Sequence, residues 1–472
     1  MSRLLKRYYL LGLLSLLTAM PLNSMITSLN KTDPFPVYTT LDPHTFNHRG
    51  QRELLHNNPE ERWSKPEHVR FSASFFGQNA YFGKNIKRNV IPTCDVQPEK
   101  VCVELGDMLE SPWNMIPLVY GNLPEGRTLG PVLSAAQAGL FPGGEGLNSS
   151  NNIDPDGKLG FFSFPAEYRK RGVRFEFDGR IFRDFGVKLQ GGVSDICFSI
   201  LKVINLNEQY VAPTMGCSLE GNVSKETVNQ FLMCKLKEIS QELGISLESF
   251  NETAVEDFRF FGYWRHAWEV NAGRVGWPHF LVIPHFQIGS SIGVGKPRDP
   301  RRVFSLPFGN NGHNSLGFNV GLNLDFTESL EFGAEAGMTH FFSRCIQGLR
   351  VPNSLCQSGI YPFATDVSYR PGRNVHFGAK MNAYHFVDRL SFYFQYLFIN
   401  HDKDKICLQQ ADPAFTPSAL EQVTNWKTHL ANIGFNYDLS PNIALGFLWQ
   451  APLMQQNVFR STTLMFSFIA TF

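Results

Sequence analysis

The chain has 472 residues, with 43 Lys and Arg against 42 Asp and Glu, a net charge of +1. That balance excludes a nucleic-acid or other polyanion-binding surface as its main business, because such surfaces need a basic excess. Charged residues make up only 18% and Phe reaches 42, yet past the N-terminus no run approaches the ~18 apolar residues of a spanning helix, which leaves a membrane β-barrel or a large soluble β-protein.

Residues 1–24 place Arg3, Lys6 and Arg7 ahead of a short apolar stretch from Leu10 to Leu17, with small or polar residues near Ala19 and Ser24. This is the layout of a cleaved signal peptide. Residues 25–68 follow as an expected periplasmic segment, too short for a plug domain. The expected wall then begins. Twelve strands are predicted at 69–82, 172–182, 185–195, 258–270, 279–292, 315–326, 329–342, 374–386, 389–400, 427–438, 442–450 and 461–472. Successive strand side chains point to opposite faces. In 173–181, Val173, Phe175 and Phe177 alternate with Arg174, Glu176, Asp178 and Arg180. In 315–326, Leu316, Phe318, Val320, Leu322 and Leu324 alternate with Gly317, Asn319, Gly321, Asn323 and Asp325. A further strand at 161–168 with a missed partner would make fourteen. Trp63, Trp264, Trp268, Trp277, Trp426, Trp449 and Tyr437 fit interfacial girdles.

Short connections alternate with long ones at 83–171, 196–257, 293–314, 343–373 and 401–426. The loop 196–257 carries a predicted helix, opened by Ser224 and showing an apolar face from Val228 through Leu236 and Ile239 before Gly244. Asn152-Ile153-Asp154-Pro155-Asp156-Gly157 reads as a turn and not a calcium loop, since Ser163 occupies the twelfth position. The eight cysteines fall in or beside the long loops. Sequence proximity offers Cys94–Cys102, Cys217–Cys234 and Cys345–Cys356 as disulfides in an oxidising compartment, one of 105 possible pairings. No spacing of Cys or His marks a metal site, and no cofactor motif is present.

At the C-terminus, Leu464, Phe466, Phe468, Ala470 and Phe472 alternate with polar or small residues. A final strand ending in Phe resembles the assembly signal of Gram-negative outer-membrane β-barrels, porin-like in kind but of no specific family. The resemblance implies a transmembrane antiparallel up-and-down barrel in the bacterial outer membrane, inserted by the outer-membrane assembly machinery. It also admits the homo-oligomers common among porins. Closure follows from backbone accounting, because hydrocarbon offers no partners to free N–H and C=O groups.

If the apolar face meets lipid, the opposite face lines the lumen. That lining is expected to include Arg174, Glu176, Asp178, Arg180, Lys188, Arg259 and Arg265 on early strands. Asn319, Asn323, Asp325, Glu331, Glu335 and Lys380 lie on later ones. Rings of charged and amide groups select solutes by field and hydrogen bonding rather than by reaction. A narrow, non-enzymatic diffusion channel for small polar solutes is the leading expectation; mutual pairing of these charges would instead plug the barrel. An envelope or adhesin barrel with disulfide-bearing loops is the alternative. A lipid hydrolase using His313 and Ser315 is the remaining one, disfavoured because odd positions of 315–326 face inward.

Overall fold

The computed structural model describes residues 69–86, 100–104, 113–114, 118, 123–140, 161–182, 184–205, 235–270, 280–326, 330–353, 360–387, 389–421, 424–440 and 442–472. The expected signal peptide and periplasmic segment, the motif at 152–157, and Cys94, Cys217, Cys234 and Cys356 lie outside them.

Twelve strands form a closed barrel: β1 Val69–Ala80, β2 Ala166–Phe182, β3 Phe185–Ile200, β4 Phe258–Arg265, β5 Phe280–Ile292, β6 Ser315–Phe326, β7 Leu330–Phe341, β8 Asn374–Val387, β9 Leu390–His401, β10 Trp426–Ser440, β11 Ile443–Gln456 and β12 Thr462–Thr471. Each pairs antiparallel with its sequence neighbours, and β12 returns to β1. The seam is sealed where the Val69 amide donates to the Phe472 carbonyl at 3.1 Å and the Phe472 amide to the Val69 carbonyl at 2.8 Å. Closure leaves no free sheet edge in the ring.

Polarity decides between membrane and soluble protein. Phe71 and Phe75 are exposed on the outer face of β1, while Ser72 and Ser74 between them are buried inside. The same inversion holds for Phe175 and Phe177 against Arg174, Glu176 and Asp178, and for Leu322 against Asn323. A soluble sandwich would bury the first set and wet the second. Exposed Phe286, Ile288, Phe318, Val320, Phe332, Phe377, Leu445, Phe466 and Phe468 continue the apolar band around the ring. The protein is therefore an outer-membrane-type transmembrane barrel.

All twelve expected strands are present, and the fourteen-strand alternative is not realised. Phe161–Ser163 instead pairs with Trp113–Asn114 and Ile204–Asn205 in a small separate sheet. β2 starts six residues earlier than expected. Outward Glu167, Arg169 and Arg171 break the apolar alternation there, yet the ladder to β3 continues through them. The strand thus outruns the membrane band and stands in water.

A cap stands at the end that carries the long loops. Its larger apolar core gathers Leu118, Leu133, Phe164, Phe198, Ile239, Phe250, Phe304, Phe308 and Phe459. A second core holds Leu349, Val351, Tyr361, Val367, Tyr369, Ile406 and Leu420. The expected loop helix is seen as α2, Leu236–Glu242, with Ile239 wholly buried and Gly244 at φ +64° ending it; its proposed start lies outside the described residues. Two helices that periodicity did not reveal, α1 Pro131–Leu140 and α3 Pro417–Glu421, complete the described set. The Glu242 carboxylate accepts from the Val132 and Leu133 amides, at 2.7 and 3.3 Å, and so caps the start of α1.

Two expectations are corrected. Trp426 is no girdle residue: it is fully buried, packed with Leu397, Ile399, Leu430 and Val458 where β10 meets the cap. Cys345 holds an exposed free thiol, as does Cys407, while Cys197 is free and half-buried, so the Cys345–Cys356 bridge is not formed. Cys345 and Cys407 both face Ser368 across neighbouring strands, two strand spacings apart, too far for a disulfide.

The barrel lumen as candidate functional site

Because side chains alternate, every second residue of each strand is delivered to the interior. Arg174, Glu176, Asp178, Lys188, Arg265, Asn323, Asp325, Glu331 and Lys380 are buried there; Arg180, Arg259, Asn319 and Glu335 are partly buried on the same inner faces. Sequence parity puts these residues on one face of each strand. It did not show how they pair.

Two polar clusters result. On β1 to β4, Arg70 Nη2 lies 2.6 Å from Glu176 Oε1 and 3.4 Å from Asp178 Oδ2. Tyr263 donates to Asp178 at 2.8 Å and Gln190 to Glu176 at 2.6 Å. Higher in the same sector, Glu256 takes Arg174 Nε at 2.8 Å and Lys170 Nζ at 2.5 Å. The Arg174 guanidinium also sits 4.0 Å from the Phe76 ring centroid.

On β6 to β10 the partners are mostly amides. Glu331 accepts from Asn323 and Asn382, both at 3.0 Å, and from Tyr384 at 3.3 Å. Glu335 accepts from Asn319 at 3.1 Å and Gln395 at 2.8 Å, and Gln395 accepts from Asn432 at 2.9 Å. Asp325 stands directly across from Glu331 in the ladder. Opposed like charges are unfavourable in a sheet, so this pair is not explained by wall stability. Cations predominate on one side of the lumen and carboxylates on the other, as the sequence parity implies.

Between them β11, β12 and β1 contribute neutral groups. Ser74 and Ser467 hydroxyls lie 2.7 Å apart, and Gln78 donates to Thr463 at 3.1 Å while accepting from Tyr168 at 2.8 Å. Phe76, Tyr393, Leu448 and Met465 form a buried apolar cluster from β1, β9, β11 and β12. In the ladder Tyr393 stands opposite Gly434, Gly434 opposite Leu448, Leu448 opposite Met465 and Met465 opposite Phe76, so the cluster is an apolar row along the inner face of the wall, closed over the side-chain-free Gly434. Arg70, Gln190, Glu256 and Tyr263 escaped the sequence reading. Parity within β1 and β3 would have found the first two, whereas Glu256 precedes its strand and is aimed inward by local backbone.

His313 and Ser315 are both buried. His313 Nδ1 lies 3.0 Å from the Phe342 carbonyl, and Ser315 shares the inner face with Asn319 and Asn323. The pair is not presented to lipid, which removes the geometry the hydrolase expectation needs. Among the described residues, no group of three or more His, Cys, Asp and Glu is arranged to hold a metal ion.

No protein-family model matches the chain, and no curated protein matches it. Among solved structures, it is similar to an outer membrane channel from Pseudomonas putida F1, at 7% identity and TM-score 0.45, covering 88% of this chain and all of that one. It is also similar to the toluene transporter TbuX of Ralstonia pickettii, at 10% identity and TM-score 0.31, over 96% and 100% of the two chains. A third likeness is to the translocator domain of the autotransporter NalP from Neisseria meningitidis, at 7% identity and TM-score 0.30, over 92% and 98%.

Proposed function

We propose that the barrel is a narrow channel for small polar solutes, held shut here by its own side chains. The observation that carries this is a set of interior amide atoms: Asn319 Oδ1, Asn323 Oδ1, Asn432 Oδ1 and Gln450 Nε2 are buried without a protein partner. Leaving such an atom unsatisfied costs about 1–3 kcal/mol, so water is the natural partner, and a polar interior of this kind accepts water. A wall built only for anchorage gains nothing from these amides; a hydrated path does. The paired charges and the apolar row that includes Tyr393 resist flow, so conduction requires the charges to part.

The role of the lining is electrostatic selection, with Arg70, Arg174 and Lys188 on one side and Asp325, Glu331 and Glu335 on the other. Phe466 and Phe468 face outward and Phe472 is 76% exposed at the end of the chain, which suits presentation of this strand to the assembly machinery. Single-channel recording in a planar bilayer tests the reading. Native protein is expected to show small, intermittent steps, and Tyr393→Ala larger ones. Silence from both, with folding verified by heat-modifiable mobility, overturns it. A second reading, display of the surface cap, is favoured by the two separate apolar cores above the wall; unchanged solute permeability on deletion of the gene with loss of surface attachment would support it.

A further inference from the structure

Where residues 297–311, 344–350 and 360–369 meet the segment after α2, the cap holds an open-mouthed cavity of about 410 Å³. That size falls within the ~300–1,000 Å³ typical of small-molecule sites. Its walls combine two chemistries. Ile346, Leu349 and Tyr361 present apolar surface, while Arg298, Arg344 and Arg350 bring three guanidinium groups; among the described residues that line it, none is acidic.

The arginines are held in place by backbone. Arg350 Nη1 donates to the carbonyls of Tyr361 and Pro362 at 3.0 and 2.7 Å, and its Nη2 to the carbonyl of Leu243. Arg344 Nη1 donates to the Asn311 carbonyl at 3.2 Å and Arg298 Nη2 to that of Val303 at 2.5 Å. Carbonyl dipoles orient Arg344 and Arg350 but do not cancel their charge. Burial, and then the nearby Arg301, push the Arg350 pKa down to about 10. Fixed guanidinium forks of this kind match a carboxylate or similar oxyanion, and the preset geometry reduces the ordering cost of binding.

We infer that this cavity binds a small amphipathic organic carboxylate, its anionic head on Arg344 and Arg350 and its apolar body against Ile346, Leu349 and Tyr361. The site belongs to the cap and does not depend on conduction through the barrel.

The test uses 4-phenylbutyrate as probe and its neutral amide as control, on folded full-length protein, by isothermal titration. Cys345 also lines the cavity and carries a free thiol, which supplies an independent readout. The carboxylate is expected to bind at least about tenfold more tightly than the amide, and Arg344→Gln to weaken it by about tenfold, as loss of a charge-assisted hydrogen bond implies. Saturating carboxylate should slow alkylation of Cys345 by iodoacetamide, read by peptide mass, and leave exposed Cys407 unchanged. Arg350→Gln should act like Arg344→Gln; if it fails to fold, the exposed Arg344 position decides. Equal binding of acid and amide, no binding up to roughly tens of millimolar, or an unprotected Cys345 would each overturn the inference.

Discussion

Replacing Glu256 by Gln removes one charge from a buried cluster and leaves its shape intact. The carboxylate lies 2.8 Å from Arg174 Nε and 2.5 Å from Lys170 Nζ, with Arg174 Nη2 at 3.2 Å from its other oxygen. The three side chains are 1%, 6% and 5% exposed, so water screens them little. In the native chain the cluster carries two cations and one anion. After substitution both cations lose the Glu256 carboxylate, and one amide hydrogen is aimed at a donor. Breaking a buried pair in this way costs about 3–5 kcal/mol, which is roughly a hundredfold or more in the folding equilibrium. Replacing all three residues by Met should recover most of that loss, since the penalty comes from stranded charge and not from missing volume. Denaturant unfolding in lipid vesicles, followed by Trp fluorescence, gives the values. Glu167→Gln, at the water-exposed outer face of β2, serves as the comparison and should change little. A cost for Glu256→Gln below ~1 kcal/mol, the range of surface pairs, would refute the reasoning.

Three further outcomes follow. Val320→Arg, on the outer face in the middle of β6, should destabilise the protein in vesicles by about 2–4 kcal/mol; a neutral result would contradict lipid exposure of that face. Burial holds the His313 pKa below its ordinary value of 6.5, and its Nε2 has no protein partner. The unfolded chain takes up this proton near pH ~6.5 while the folded cap resists it, so the stability present above that pH declines as pH falls through the folded value. The thermal midpoint should therefore drop from about pH 7 to about pH 5, and drop less in His313→Gln; parallel slopes would contradict this. Exposed Cys407 lies between β9 and β10 in the loop end of the barrel; in a variant retaining it alone, a membrane-impermeant maleimide should label it on intact cells, and failure would reverse the orientation.

The wall was legible because a membrane barrel writes its two faces into strict alternation. Leu316 to Phe326 needs nothing beyond period two to be placed, and its expected span agrees with the strand observed. Legibility faded wherever the outer face left the membrane. Once Glu167, Arg169 and Arg171 turn outward into water, the apolar half of the signal disappears while the hydrogen-bonded ladder continues. The cap was less legible for a related reason: Trp426 is aromatic at a strand end, as a girdle residue would be, and only tertiary packing shows that it turns inward. Inside the lumen, parity gave membership but not partnership. That Glu331 is shared by Asn323, Asn382 and Tyr384 depends on strand register and stagger across the ring, which no single segment encodes. Glu256 lay beyond reach because it precedes its strand.

The most direct test of the central claim is a scan of single nitroxide labels along 316–325, in a chain otherwise free of cysteine, with accessibility to oxygen and to a water-soluble relaxant measured in vesicles. The account predicts a two-residue period, with Leu316, Phe318, Val320, Leu322 and Leu324 open to lipid-dissolved oxygen and Gly317, Asn319, Gly321, Asn323 and Asp325 shielded from it. A flat profile, or one with the even positions shielded, would contradict a barrel that wears its apolar face outward.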